Sequence, residues 1–241
     1  IMGLQADDKR NLLWVCSTPA PEMSKYEEGL IAKVHSFDLV TGELVGSYSA
    51  PHPEAWLGDL LISGEGVVYV TSSSAEKPAI YRVNENSESL DVLLEPKELV
   101  SLQGLALNMD ETALYFSDYR HGLFRYDLAE EKLTPLSSKI NHPLKGIDGL
   151  YWYNGDLIAI HNGLRPFRIV RYTLSESGDQ ILGYTFLEKA LSEMNEPTLG
   201  TIVKNELYYV SNSPWGAYDE NKELQLDKVE NPIIRRLKLK K

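Results

Sequence analysis

"GLALNMDETALYFSDYRHGLFRYDL", Gly104 to Leu128, holds three short apolar runs separated by turn-forming residues. "NMDET" parts the first run from the second, and "SDYRHG" parts the second from the third. Asn, Asp and Gly bend a chain because they accept local backbone bonds or positive φ, so the phrase reads as an antiparallel strand meander. The middle run, "ALYF" (Ala113–Phe116), has counterparts in "LLWV" (Leu12–Val15), "VVYV" (Val67–Val70), "LIAI" (Leu157–Ile160) and "LYYV" (Leu207–Val210). Each is preceded by an apolar run ("IMGLQA", "LGDLLI", "LQGLAL", "IDGLYW", "TLGTIV") and followed by a third strand. Four of the five units then continue into a weaker fourth strand, such as "ELVGSYSA".

Four-stranded units recurring every 44 to 55 residues are the mark of β-propeller blades. The blades are expected at about 1–51, 52–96, 97–139, 140–190 and 191–241, in one propeller domain. "FLEKALSEM" alone has a helical period and is expected as one short helix. The first unit opens directly on its first strand and the fifth stops at its third, at Lys241. The expectation is therefore a six-bladed ring whose N-terminal blade precedes Ile1; an open or five-bladed ring is the alternative.

Composition narrows the function. The chain has 241 residues, 43% of them hydrophobic, which suffices for a full core. Its net charge of −11 argues against nucleic acid, because phosphate binding needs a basic surface. One cysteine, Cys16, leaves no internal disulfide and no cysteine-rich zinc site. No apolar run reaches the ~20 residues of a membrane span, and no signal peptide is visible. A chain opening on Ile1 fits a secreted or periplasmic protein whose leader has been removed, so the compartment stays open.

Aligned blades turn sequence positions into spatial ones. The residue two before the Leu of each inner strand is Met2, Gly58, Gln103 and Asp148, with Glu196 or Pro197 in the fifth unit. The loop after each second strand returns to the same end of the blade, bringing Ser17, Ser72, Asp118, His161, Asn162, Arg165 and Asn212. A polar mouth on an apolar scaffold suits a small ligand or a metal, and its oxygens suit a hard divalent cation such as Ca²⁺. Such a cation would polarise a carbonyl and leave Asp148 to move a proton. Each residue also has a structural reading. Ser72, Asn162 and Asn212 are turn formers, Asp118 serves a turn or a site equally well, and His161 and His142 are packing residues or flank the mouth. Trp14, Trp56 and Trp152 read as packing between blades, and Trp215, in "SPWG", as a loop residue able to line a pocket.

The stretches "GLALNMDETALYFSDYRHGLFRYDL", "GIDGLYWYNGDLIAIHNGLRPFRIVRYTL" and "NEPTLGTIVKNELYYVSNS" resemble the gluconolactonase-like family, also called the regucalcin or senescence-marker-protein family. The resemblance runs over nearly the whole chain. It implies a six-bladed propeller and a metal-dependent lactonase holding one divalent cation at the channel mouth. The family's ligands are a first-blade Glu, two Asn at inner-strand entrances and one Asp that doubles as acid and base. The Asp matches Asp148. The two Asn fall on Gly58 and Gln103, with Asp59 beside the former, and the Glu would precede Ile1. The expected metal set is Asp148, Gln103, Asp59 and Glu196, with Asp118, His161, Asn162, Arg165 and Asn212 as substrate contacts. A non-catalytic propeller that binds a small ligand or a protein at the same face is the alternative function.

Overall fold

The structure is a computed structural model that describes residues 1–23, 25–74 and 76–240, so the expected end at Lys241 lies outside the described residues. Five sheets follow one another along the chain. The first is β1 (Leu4–Asp7), β2 (Leu12–Ser17), β3 (Lys33–Asp38) and β4 (Leu44–Ser49), and the second is β5 (Trp56–Ile62), β6 (Val68–Ser73), β7 (Ala79–Val83) and β8 (Leu90–Leu94). The third is β9 (Leu102–Leu107), β10 (Ala113–Asp118), β11 (Gly122–Asp127) and β12 (Lys132–Pro135). A two-residue strand, β13 (Ser137–Ser138), opens the fourth, followed by β14 (Ile147–Tyr153), β15 (Asp156–His161), β16 (Arg168–Leu174) and β17 (Gln180–Lys189). The fifth has β18 (Gly200–Val203), β19 (Glu206–Val210) and β20 (Ile234–Lys238). Within each sheet the main strands pair antiparallel in chain order, which gives an all-β arrangement of five propeller blades. No helix among the described residues is long and apolar enough to cross a membrane.

Turn residues set these hairpins. Between β14 and β15, Asn154 (φ 51°) and Gly155 (φ 86°) hold the two left-handed positions of a type I′ turn, whose twist matches that of the flanking strands. The expected helix at "FLEKALSEM" does not form. Phe186 pairs with Val170 and Glu188 with Ile169, so β17 runs on as a strand to Lys189. Glu188 also accepts from the Tyr209 hydroxyl and from Arg235, 2.8 Å away, and this tertiary pairing overrides the helical period. The strand β13, which adds parallel to β17 from the link after the third blade, was not visible in the sequence pattern.

The core lies between blades. Trp14, Cys16, Leu57, Val70 and Tyr81 fill the first junction, and Leu102, Leu114, Phe116 and Ile80 the second. Tyr115, Leu150, Ala159 and Tyr172 fill the third, and Ile158, Ile160, Leu207 and Tyr209 the fourth. The inner strands β5, β9 and β14 are largely buried, whereas β1 and β18 keep alternate residues exposed, Leu4 and Val203 among them.

Neighbouring inner strands belong to different sheets and approach closely. A Cβ on Gly104 would stand 2.6 Å from the Asp148 carbonyl oxygen and would also meet the Leu150 amide nitrogen. Gly104→Ala is therefore expected to destabilise the protein by about 1–3 kcal/mol through overpacking. Gly183→Ala, on β17 with open space around its Cβ position, is expected to stay within about 0.5 kcal/mol of the parent. Denaturant titration of both variants measures the contrast, and equal midpoints would contradict the packing described.

Candidate functional site

The chain wraps around a channel whose two ends differ. Toward one end the inner strands contribute Leu4, Asp59, Leu105, Tyr151 and Thr201 to a space of about 320 Å³. Their entrances open onto a larger cavity of about 730 Å³, lined by Met2, Gly58, Gln103, Asp148 and Glu196. Of the loops after the second strands, Tyr119, Asn162 and Asn212 reach this cavity. Ser101, Thr198, Trp56, Trp215 and Tyr218 complete much of its wall.

Asp148 is held by a local irregularity. The pairing of β14 with β15 shifts register between Ile147 and Leu150, as that of β5 with β6 does between Leu57 and Leu60. Such bulges re-aim a side chain out of the strict strand alternation. The Asp148 carboxylate accepts from Asn162 Nδ2 at 2.7 Å, and Asn162 Oδ1 accepts from the Tyr119 hydroxyl at 2.7 Å. The Tyr119 bond fixes the Asn162 amide so that its NH₂ faces the acid. Burial pushes the Asp148 pKa up to about 6, the Asn162 bond opposes this, and the Glu196 charge adds to it. Burial, with the charges of Asp148 and Glu196, also pushes Tyr119 up to about 12, so it stays a donor at neutral pH. Glu196, raised mainly by burial, is held at φ 57°, a left-handed conformation that non-glycine residues seldom take.

Gln103 donates its Nε2 to Ser73 Oγ at 3.3 Å and Ser101 Oγ at 3.2 Å. This fixes its amide and leaves Oε1 toward Gly58. Among the described residues no donor reaches Gln103 Oε1, the second oxygen of Asp148 or the Glu196 carboxylate. The oxygens of these three side chains, from three consecutive blades, have the chemistry a hard cation takes. Among the described residues no three His, Cys, Asp or Glu side chains cluster as a metal group, so the donor set needs the Gln103 amide.

Several expected contacts lie elsewhere. Asp59 faces the opposite half of the channel, where its carboxylate accepts from the Leu60 amide at 2.9 Å. It therefore does not join the Asp148, Gln103 and Glu196 oxygens at the mouth. Burial pushes its pKa up to about 7, with the Asp148 charge acting the same way. Asp118 is fully buried and organises its loop. Its carboxylate accepts from the amides of Val100, Ser101, Arg120 and His121 and from the His121 ring. Burial works to raise its pKa, and these bonds outweigh it, so the carboxyl is held below its ordinary value. No oxygen is left for a substrate.

His161 points between sheets and not into the cavity. Its ring is fully buried, bonded to the Tyr172 hydroxyl at 2.7 Å, and burial with the charges of His142 and Arg168 lowers its pKa to about 3. His142 sits in the same cluster, its ring tilted against that of Tyr184 with centroids 4.5 Å apart, and so does not flank the mouth. Arg165 is exposed beside the Phe167 ring at 4.6 Å, outside the cavity lining; its charge alone reaches Glu196. Asn212 lines the cavity with its polar atoms spent on the Asn231 carbonyl and the Ile233 amide. Ser72 accepts the Trp56 amide, and Ser17 donates to the Lys33 carbonyl.

Three site residues escaped sequence reasoning. Trp56, read as blade packing, lines the cavity, while Trp14 and Trp152 do pack between strands, against Tyr48 and Tyr115. Tyr119 follows Asp118 in the loop after a second strand, so its position carried the same signal as its neighbour's. Ser101 lies just before the third inner strand, two residues ahead of the aligned entrance position Gln103.

No family model and no curated protein matches the chain. Among solved structures it is similar to a luciferin-regenerating enzyme, at 14% identity and TM-score 0.60, over 98% of this chain and 90% of that one. Regucalcin from Agrobacterium tumefaciens str. C58, described as a calcium-binding protein, matches at 14% identity and TM-score 0.53, over 88% and 81%. A nidogen/laminin complex matches at 16% identity and TM-score 0.58, over 76% and 68%. An enzyme, a calcium-binding protein and a protein–protein complex on one scaffold show how little a fold fixes an activity. At these identities the likeness establishes the β-propeller fold.

Proposed function

We propose that the protein is a hydrolase that opens a lactone or a similar ester at the cavity mouth, with Asp148 as the base. The observation that carries this is the state of Asp148: one oxygen is pinned by Asn162, the other is left to the cavity, and the pKa is raised to about 6. A base works best with a pKa near the working pH. Asp148 takes a proton from the attacking water as that oxygen adds to the carbonyl carbon. As the ring C–O bond breaks, Asp148 returns the proton to the leaving oxygen. Asn162 and Tyr119 hold the carboxylate in place through both transfers.

Asp148, Glu196 and Gln103 would hold a divalent cation, in keeping with the calcium-binding description of the regucalcin structure. When bound it would supply polarisation of the substrate carbonyl. Gly58 contributes no side-chain ligand, so the set is smaller than the one the sequence resemblance implies. We also propose the six-bladed ring, with a sixth sheet between the fifth and the first. Its support is the exposure of alternate residues on β1 and β18, against the buried inner strands of the other blades.

Asp148→Asn is expected to abolish ester turnover, and the parent's kcat/KM is expected to rise with pH through about 6 as the base loses its proton. The same substitution tests the linkage. A folded carboxyl pKa above the unfolded value means that stability falls as pH rises from about 4 through 6. Asp148→Asn should therefore be about 1–3 kcal/mol more stable than the parent at pH 8, with the gain disappearing near pH 4. Loss of stability at pH 8 would make the acid structural and sink the catalytic reading.

Calcium at 100 times its Kd should raise parent stability by about 2.7 kcal/mol, and the rise should vanish in Asp148→Asn. A parent whose melting temperature ignores calcium and magnesium removes the metal and leaves Asp148 acting alone. For the ring, hydrogen exchange should be faster in β1 and β18 than in β5, β9 and β14. Equal protection across the five inner strands would instead favour a closed five-bladed ring.

A further inference from the structure

Cations collect where the third and fourth blades meet. The chain carries 35 acidic residues, yet none falls between Lys132 and Ile147 or between Leu157 and Ser175. The first stretch links the third blade to the fourth and lays the His142 ring against Tyr184 and Phe186 of β17. The second holds most of β15 and all of β16, with His161 and Arg168 directly opposite each other across the two strands. On its other side Arg168 stands opposite Lys189 of β17. One row across three strands therefore reads His161, Arg168, Lys189. Residues opposite one another in a ladder share a face, and like charges so placed repel.

Arg168 is only 7% exposed, and its Nε is buried without a hydrogen-bond partner. The half-buried arginines nearby are each met by a carboxylate, Arg171 by Asp156 and Arg235 by Glu188. Among the described residues no acid pairs with Arg168 or with Lys189, whose Nζ rests 4.6 Å from the Phe186 ring centre. The two histidines bring no negative charge. Each spends one ring nitrogen on the Tyr172 hydroxyl, and His142 Nε2 and His161 Nδ1 are buried without partners. Burial lowers the pKa of both rings, and the Arg168 charge acts the same way. A guanidinium taken out of water is costly unless it is paired, and this one stands beside a second cation.

We propose that this junction binds a small oxyanion, a phosphate or a carboxylate, held between Arg168 and Lys189. The planar guanidinium matches two oxygens of either group, and the ammonium adds a point charge. Lys189 is exposed and stands at the rim, while Arg168 keeps so little surface that a free ion fits the approach and a folded acidic surface does not. His142 feels the charge of both cations and borders the same spot. None of these residues lines the cavity that holds Asp148, so the site stands apart from the hydrolase reading.

Equilibrium dialysis of the full chain against radiolabelled inorganic phosphate, in metal-free chloride buffer at neutral pH and constant ionic strength, counts the sites. Radiolabelled acetate is the carboxylate arm, and the tighter of the two ions identifies the source. The expected result is one saturable site per chain. Arg168→Met should weaken it at least about 10-fold, as loss of a bidentate charged partner does. Arg82→Met, an exposed arginine of the second blade, should leave it unchanged. Lys189→Glu sets a carboxylate opposite Arg168, so it should raise the melting temperature in chloride buffer and abolish oxyanion binding. That exposed position keeps the test readable if Arg168→Met does not fold. The parent's melting temperature should rise by about 3–6 °C at roughly ten times the Kd of the bound ion, and Lys189→Glu should not respond. No saturable binding of either ion, or binding that both variants leave intact, overturns the site. A rise that sodium chloride reproduces at equal ionic strength is screening of neighbouring cations only, and it overturns the site as well.

Discussion

Each inner strand of this protein faces the inner strand of another sheet, with no ladder between them, and its carbonyls must still find donors. For β5, β9 and β14, buried and half-buried hydroxyls from the preceding blade supply them. Thr18 donates to the Leu57 carbonyl at 2.9 Å, Thr71 to that of Gln103 at 2.8 Å, Ser73 to that of Leu102 at 3.0 Å and Ser117 to that of Ile147 at 3.1 Å. A buried carbonyl without a partner costs about 1–3 kcal/mol, so this set of clasps decides whether blades can sit side by side. Cys16 does similar work, accepting from the Gly3 amide and donating to the Gly58 carbonyl. Burial pushes its pKa up to about 12, so it stays a thiol.

The clasps also locate the site. They join the end of a second strand to the start of the next inner strand, which is where the entrance residues stand. Gln103 is held on its carbonyl by Thr71 and on its amide by Ser73 and Ser101. Asp148 follows directly on Ile147, whose carbonyl Ser117 holds. A side chain attached to backbone fixed in this way keeps its geometry when a ligand arrives, which is the condition for a base to be useful. The serines and threonines of "CSTP", "TSSS" and "SDYR" thus serve the ring, and the mouth gains its order from them.

The fivefold strand phrase was legible because strand periodicity and turn residues are local signals, and so was the rule that entrance and return loop share an end. What one carboxylate does in its loop was not. Asp118 and Asp148 both sit beside strand ends in the sequence, yet Asp118 meets four backbone amides and Asp148 a single side-chain amide. That difference depends on how the following loop curls, which hydrophobic pattern does not encode. His161 went astray through alternation. It pairs across the sheet with Ile147 and Arg168, and its ring turns to Tyr172, while the next residue, Asn162, faces the cavity. "FLEKALSEM" shows the reverse case, a helical period overruled by pairing with β16.

Two carboxylates within electrostatic reach share one channel, and their environments separate their tasks. Both are raised by burial, Asp59 to about 7 and Asp148 to about 6. Asp148 has the Asn162 amide to favour its charged form, and it opens on the larger cavity. Asp59 has a backbone amide and faces the narrower half. Each charge raises the cost of the other, and the acid bonded to the Asn162 side chain, whose pKa is raised less, is the first to give up its proton. Near neutral pH the channel therefore holds its negative charge at the Asp148 end, beside the polar wall of the third and fourth blades. The place where a proton can be accepted is thereby tied to the end of the channel through which a ligand of useful size enters.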